Sequence, residues 1–443
     1  MTHGLRNLKT VRWFILILVS FTMFFGYFIA DVMAPLMDML KDEFEWSATE
    51  YGIFNSAYGW FNVFLFMLVI SGMILDKFGA RITGTGACIL MIVGCGLKYY
   101  AVSKVFSGEI LGLRTQVFTA SIGFAVFALG FETAGVTVSK TVVRWFKGRE
   151  IALAMGIQLA LARLGTALAM ATTIPLAKYF QSLSAPILLG LAALCIGLVT
   201  FLAFCVMERK TYASGVSEEK EIPFRMRDFV FIVANRGFWL ISLLCVLFYS
   251  SVFPFLKYAT SLMINKYNVA PEWAGNIPAI LPLGTILLTP FFGNLYDKKG
   301  RGAGIMIAGS VMLVVIHFLF SLPLLNVWWF AAVLMILLGI SFSLVPSAMW
   351  PAVAKIIPEN RLGTAYSVIF WVQNVGLSLV PLLIGWILDK YCSAEQGATS
   401  FYDYTLPMII FTCFGLAAVA VAVLLKREDK RKAYGLELPN ISE

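Results

Sequence analysis

Apolar residues run along this chain in blocks of roughly 20, each about long enough for a helix rising 1.5 Å per residue to cross ~30 Å of hydrocarbon. The blocks lie near 13–33, 51–75, 82–102, 109–139, 149–174, 185–207, 237–262, 273–295, 303–321, 328–352, 362–387 and 405–425, which predicts twelve transmembrane helices. The longest polar interruption, ERKTYASGVSEEKEIPFRMRDFVFIVANR at 208–236, divides them six and six and reads as a linker. The expected organisation is an N-terminal six-helix bundle over 1–207, a cytoplasmic linker over 208–236, and a C-terminal six-helix bundle with a short cytoplasmic tail over 237–443. The first block is flanked by Arg6, Lys9 and Arg12 as a signal peptide would be. It lacks a convincing small-residue cleavage site and runs on into DMLKDEFE, so a retained helix is expected.

Composition supports this pattern. Of 443 residues, 60% are hydrophobic and 13% charged, with 37 Phe against 2 His, a balance that suits lipid-facing helices and not a dissolved protein. The alternate loops that would share a side with the N-terminus carry 25 of the 34 Lys and Arg, and the positive-inside rule then places both termini in the cytoplasm. The net charge of +9 is thereby a topology signal, and no nucleic-acid partner is expected. Six of the seven Cys fall inside predicted spans and only Cys392 lies in a loop, so neither a disulfide framework nor metal-ligand spacing is present. The sequence holds no H-E-x-x-H, no G-x-S-x-G in a suitable setting and no Cys/His cluster, so an enzyme, a metal site or a cofactor is not expected. Short loops without an added domain argue against a sensor or scaffold.

The two halves share a local pattern between their second and third spans: GMILDKFGAR at 72–81 and GNLYDKKGRG at 293–302. Gly72 and Gly293, like Asp76 and Asp297, are separated by the same offset of 221 residues, which points to duplication. Glycine lets helices approach closely, an Asp at a helix end can meet the positive N-terminus of a neighbour, and Arg81 and Arg301 shape tight basic turns.

Inside the predicted spans a few charges stand out. Glu132 lies fourteen residues before Phe146, and Arg163 lies fourteen after Arg149, on either side of the turn WFKGRE. Both are then about 21 Å from that turn, at a similar near-central depth on adjacent antiparallel helices. They either neutralise each other in a salt bridge that fixes packing or each holds an opposite charge of a ligand. Asp31, in YFIADVMAPL, is a third ionisable candidate or an interfacial carboxylate. Lys257, in VFPFLKYAT, is a second cation of a cavity or a snorkelling residue. Arg114 reads as interfacial, and the isolated His317 as a hydrogen-bonded packing residue. Aromatic and amide side chains gather on the helices expected to line a cavity: Tyr27, Tyr58, Trp60, Asn62, Trp350, Trp371, Gln373 and Asn374. The amides need partners wherever they are buried.

The paired loops resemble the signature of the major facilitator superfamily, and the resemblance extends over essentially the whole chain. It implies an all-α membrane fold of twelve transmembrane helices in two six-helix bundles, around a central cavity that opens alternately to each side. The segments YGWFNV (58–63), WFKGRE (145–150), GIQLALARLG (156–165), VFPF (252–255) and MWPAVAKIIPENRLGTAYSVIFWVQNVGLSLVPLLIGWILD (349–389) are similar to the lysosomal dipeptide transporter branch of that superfamily. The branch exports dipeptides by facilitated diffusion, and its glutamate and arginine on helices 4 and 5 correspond to Glu132 and Arg163, with Tyr27 and Asp31 matching within YFIAD. A zwitterionic dipeptide offers a carboxylate to the bidentate fork of Arg163 and an ammonium to Glu132 or Asp31. The function expected is alternating-access transport of dipeptides or similar small zwitterions, facilitated or proton-linked, by a monomer in the lipid bilayer. The alternative is a transporter of small organic anions, mono- or dicarboxylates, anchored by Arg163 and Lys257. Without a dileucine-type sorting signal or a luminal glycosylation site, a prokaryotic cytoplasmic membrane is expected, with the lysosomal membrane as the alternative.

Overall fold

The computed structural model describes residues 8–146, 150–213, 231–323, 325–358, 361–396 and 399–440. Lys147, Gly148 and Arg149 of the WFKGRE turn, and residues 214–230 of the expected linker, lie outside the described residues. Among the described residues, fourteen α-helices follow in chain order: α1 Lys9–Asp31, α2 Met37–Phe44, α3 Ala48–Ser56, α4 Met67–Ser103, α5 Thr115–Phe146, α6 Ile151–Tyr179, α7 Ala185–Ala213, α8 Arg236–Asn265, α9 Pro271–Ala274, α10 Asn276–Lys299, α11 Gly302–Ser321, α12 Trp328–Ile356, α13 Leu362–Tyr391 and α14 Thr405–Lys432. Two short hairpins, Glu109–Ile110 with Leu113–Arg114 and Ser393–Gln396 with Thr399–Tyr402, are the β-structure among the described residues. Large apolar side chains face outward along these helices, among them Ile82, Val199 and Leu287, the last at 78% exposure. Lipid, not water, is the medium that accepts such a surface.

Among the described residues, eleven helices are long and apolar enough to cross a membrane. The second expected span, 51–75, is present but broken. After α3 the chain tightens into a 3₁₀ turn at Ala57–Gly59 and widens into a π-helical turn at Trp60–Phe64, and Phe66 takes a left-handed φ of 51° just before the next helix. Its continuation forms the first part of α4, which turns at Gly79 (φ 76°, ψ 169°), a conformation open to glycine, before the third span begins. The fourth expected span, 109–139, starts later than its hydropathy suggests, at Thr115, because Leu111 and Gly112 take positive φ and fold Glu109–Arg114 into a hairpin.

The chain forms two units. The first takes the described residues of Met1–Phe44 and Ala57–Glu221, the second those of Glu45–Ser56 and Ile222–Glu443. In the first unit α4 and α5 meet backbone to backbone. A Cβ on Gly94 would lie 2.2 Å from the Phe127 nitrogen, and one on Gly130 2.6 Å from the Ala87 oxygen. Gly165 brings α6 equally close to α1, where a Cβ would lie 2.2 Å from the Phe24 oxygen.

In the second unit α3 docks on α13. The Asp389 carboxylate accepts the backbone N–H of Ala48 (2.9 Å) and of Thr49 (2.5 Å), two of the donors that the first turn of α3 leaves without a helical partner. Ser378 donates to the Ser56 oxygen at 2.7 Å, and a Cβ on Gly385 would lie 2.1 Å from the Ala48 oxygen. At the far end of this unit the chain after α14 folds back over the loop before α11, where Arg301 N–H donates to the Glu437 oxygen (2.9 Å) and Asn440 donates to Asp297 through both its backbone (3.0 Å) and its side chain (2.7 Å).

The paired loop motifs use their residues differently from the sequence expectation. A Cβ on Gly72 or Gly293 would meet nothing within 4 Å, so close helix approach falls to Gly94, Gly123, Gly130 and Gly165 instead. Asp76 pairs with Lys140 at 2.6 Å, and Asp297 accepts from Asn440, so neither acid caps a helix; Asp389 does. Arg81 is exposed, and Arg301 takes a left-handed φ of 61° just before α11. These contacts predict that Gly94→Ala costs at least about 1–3 kcal/mol through overpacking against a backbone that cannot yield, while Gly72→Ala stays within roughly 0.5 kcal/mol of the parent. Melting temperatures of the detergent-solubilised variants check this, and equal effects at the two sites would contradict it.

Candidate functional site

The first unit collects the ionisable residues singled out in its spans. Asp31 is the last residue of α1, and its Oδ2 accepts from Thr166 Oγ on α6 at 2.8 Å. One turn earlier, Tyr27 lies within electrostatic range of Arg163, Glu132 and Asp31, and its ring meets Phe131 edge-on at 4.9 Å. Tyr58, in the broken part of the second span, donates its hydroxyl to Glu132 Oε1. Asp31, Tyr27, Tyr58, Glu132 and Arg163 are each half-buried. Among the described residues, Glu132 takes its hydrogen bond from Tyr58.

The backbone break explains how Tyr58 reaches this cluster. Asn62 sits one turn on, 1% exposed, with Nδ2 donating to the Tyr58 oxygen at 3.2 Å and Oδ1 without a partner among the described residues. A buried amide with one half unsatisfied is costly unless water or a ligand reaches it.

The residues expected from the second half lie in the second unit. Trp350 on α12 stacks on Phe370 at 4.9 Å, donates Nε1 to the Tyr249 hydroxyl at 3.0 Å, and accepts from Tyr366 at its carbonyl. Asn374 on α13 is buried, donates to the Phe370 oxygen at 3.0 Å, and leaves Oδ1 without a partner, as Asn62 does. Gln373 is buried too, and its Oε1 faces the Cys245 thiol at 3.5 Å. Lys257 and Trp371 are partly accessible, and the Lys257 carbonyl accepts from the Tyr51 hydroxyl at 2.9 Å. Two peripheral expectations also have positions: Arg114 donates to the Phe44 oxygen at 2.7 Å, and His317 packs between the rings of Phe255 (5.0 Å) and Phe411 (5.4 Å).

Sequence reasoning passed over Lys98. It is fully buried on α4, with Nζ donating to the Ile29 oxygen at 2.8 Å. Its position in the run Met91, Gly94, Cys95, Lys98, Ala101, Val102, the buried stripe of α4, was the available signal.

The profile of the Major Facilitator Superfamily matches residues 16–381, with a further match over 258–439. The chain belongs to the major facilitator superfamily. Among its relatives are proteins named lysosomal dipeptide transporter MFSD1. That of Bos taurus is 28% identical over 429 residues, 93% of this chain and 85% of the relative, and that of Homo sapiens is 28% identical over 395 residues, 86% and 80%. The solved structures of a bacterial homologue of the human lysosomal transporter Spinster (14% identity, TM-score 0.74, 95% of this chain and 98% of that one) and of the nucleoside transporter NupG (14%, 0.70, 94% and 98%) share its fold. As a member of this superfamily the chain is an integral membrane transporter of a small-molecule substrate, and not an enzyme.

The Tyr58–Glu132 contact predicts a measurable coupling. A hydrogen bond to a charged group contributes roughly 1.5–3 kcal/mol. In a double-mutant cycle of Tyr58→Phe and Glu132→Gln followed by thermal unfolding, the two changes should couple by about 1–3 kcal/mol. Strict additivity would show that the hydroxyl and the carboxylate do not depend on each other.

Proposed function

We propose that this transporter moves dipeptides or similar small zwitterions by alternating access. The observation that carries the reading is the cluster of Asp31, Glu132 and Arg163, charges of both signs that remain partly accessible around Tyr27 inside membrane-spanning helices. Charges at such depth are retained where they meet a ligand or a water-filled path. Arg163 would fork onto the ligand carboxylate, while Asp31 or Glu132 would take its ammonium. The names of the MFSD1 relatives support the same substrate class.

The residues of the second unit play the supporting part in this reading. Trp350 and Trp371 offer apolar faces that tolerate varied side chains, and Gln373 and Asn374 offer amide groups for the peptide bond. The Oδ1 of Asn62, without a partner among the described residues, suits its N–H donor. Lys257 would add a cation. The irregular stretch at residues 57–66 is the proposed hinge. The paired loops with Gly72, Asp76, Arg81, Gly293, Asp297 and Arg301 would gate the basic side, taken as cytoplasmic together with both termini. We place the monomer in a prokaryotic cytoplasmic membrane, with the lysosomal membrane of the MFSD1 relatives as the alternative.

Proteoliposomes containing the purified protein should take up labelled alanyl-alanine, facilitated or driven by an imposed pH gradient, and Arg163→Ala should reduce uptake at least tenfold. Unchanged uptake in Arg163→Ala would remove the carboxylate anchor. Competition by mono- or dicarboxylates, with none by dipeptides, would favour the organic-anion reading built on Arg163 and Lys257.

A further inference from the structure

Lys98 is a cation with no direct route to solvent. At 0% exposure, its ammonium donates to the Ile29 oxygen at 2.8 Å and lies over two aromatic faces, 4.6 Å from the Phe124 centroid and 5.2 Å from that of Phe127. These partners suit a charged lysine. Ile29 is in the last turn of α1, where the carbonyls carry the negative end of the helix dipole, and ring faces present negative potential to a cation. Gly123 makes room for this arrangement, since a Cβ there would lie 2.8 Å from the Lys98 backbone nitrogen.

The same aromatic rings connect Lys98 to the transport cluster. Phe124 packs against Tyr58 at 5.7 Å, the donor to Glu132, and Phe127 stacks on Phe131 at 5.6 Å, which meets Tyr27. Asp31 follows two residues after Ile29, the residue whose carbonyl Lys98 holds. Lys98 therefore lies behind the site, too enclosed to touch a ligand and close enough to act on it through the field and through the end of α1.

With Lys98 included, the charges are two carboxylates, Asp31 and Glu132, against two cations, Arg163 and Lys98. We propose that Lys98 is a positioning residue that sets the charge preference of the site: it brings the resting cluster to electrical neutrality and thereby selects ligands of zero net charge. This rests on the dipeptide reading above and adds to it a rule for which dipeptides bind. A unit charge roughly 10 Å away, at an effective dielectric of about 20, changes the affinity for a charged ligand on the order of tenfold. Removing Lys98 leaves the cluster one negative charge in excess, so a ligand with one added positive charge gains.

The test is calorimetric binding of alanyl-alanine, alanyl-lysine and alanyl-glutamate to the full-length protein in detergent. The wild type should favour alanyl-alanine. Lys98→Met, verified as folded by its elution and melting profile, should move the alanyl-lysine to alanyl-alanine affinity ratio on the order of tenfold toward the cationic peptide, and Lys98→Arg should keep the wild-type ratio. A merely structural lysine would change all three affinities together. Asp31→Asn leaves Lys98 in place and should shift preference toward alanyl-glutamate, so the charge rule is tested even where Lys98→Met does not fold. Wild-type binding with unshifted ratios in a folded Lys98→Met variant, or in Asp31→Asn, overturns the role of Lys98 alone. A wild type that binds none of the three overturns the dipeptide reading and this inference with it.

Discussion

A full charge inside hydrocarbon has to find its compensation within the protein, because lipid offers none. The first unit answers this constraint at several points at once. Thr166 donates to Asp31, Tyr58 to Glu132, and a helix-end carbonyl with two ring faces surrounds Lys98. Each of these carboxylates accepts from a hydroxyl, and the lysine ammonium donates to a carbonyl. At Glu132 a ligand ammonium would replace the Tyr58 hydroxyl at lower cost than it would replace a guanidinium.

Packing keeps these groups in place. Glycines on α4, α5 and α6 let neighbouring backbones approach closely, and lipid supplies no competing pull. The second unit uses the same device where α13 receives α3, with Gly385 allowing the contact and Asp389 satisfying the exposed helix start. The second span is thus continuous in sequence but divided between the two units, with the 3₁₀ and π-helical turns at the point of division. Tyr58 and Asn62 project from that irregular stretch, so side chains of the proposed site are carried by the segment proposed to bend.

Much of this was legible in the sequence, for physical reasons. Hydrocarbon thickness sets span length, so block hydropathy located most helices to within roughly two turns, and counting from a single turn paired Glu132 with Arg163, which lie near Tyr27 and Asp31 in the first unit. Backbone irregularity was less legible. The break at 57–66 has no proline, and its residues are as apolar as those of an unbroken span. The paired glycines of the loops misled because a motif gives residue types but not which glycine is in contact; Gly94 and Gly130 do the close packing without any motif. Lys98 lies near the end of a span, where lysines usually snorkel. Only the burial periodicity of α4 separated it from that group.

The account turns on recognition of both termini of a small zwitterion by opposite charges in the first unit. The most direct measurement compares the calorimetric affinity of a dipeptide with those of its C-terminal amide and its N-acetyl derivative. The account predicts that neutralising either end weakens binding by at least about tenfold, with the amide losing its interaction with Arg163. Equal affinity for the free dipeptide and both blocked forms would contradict it.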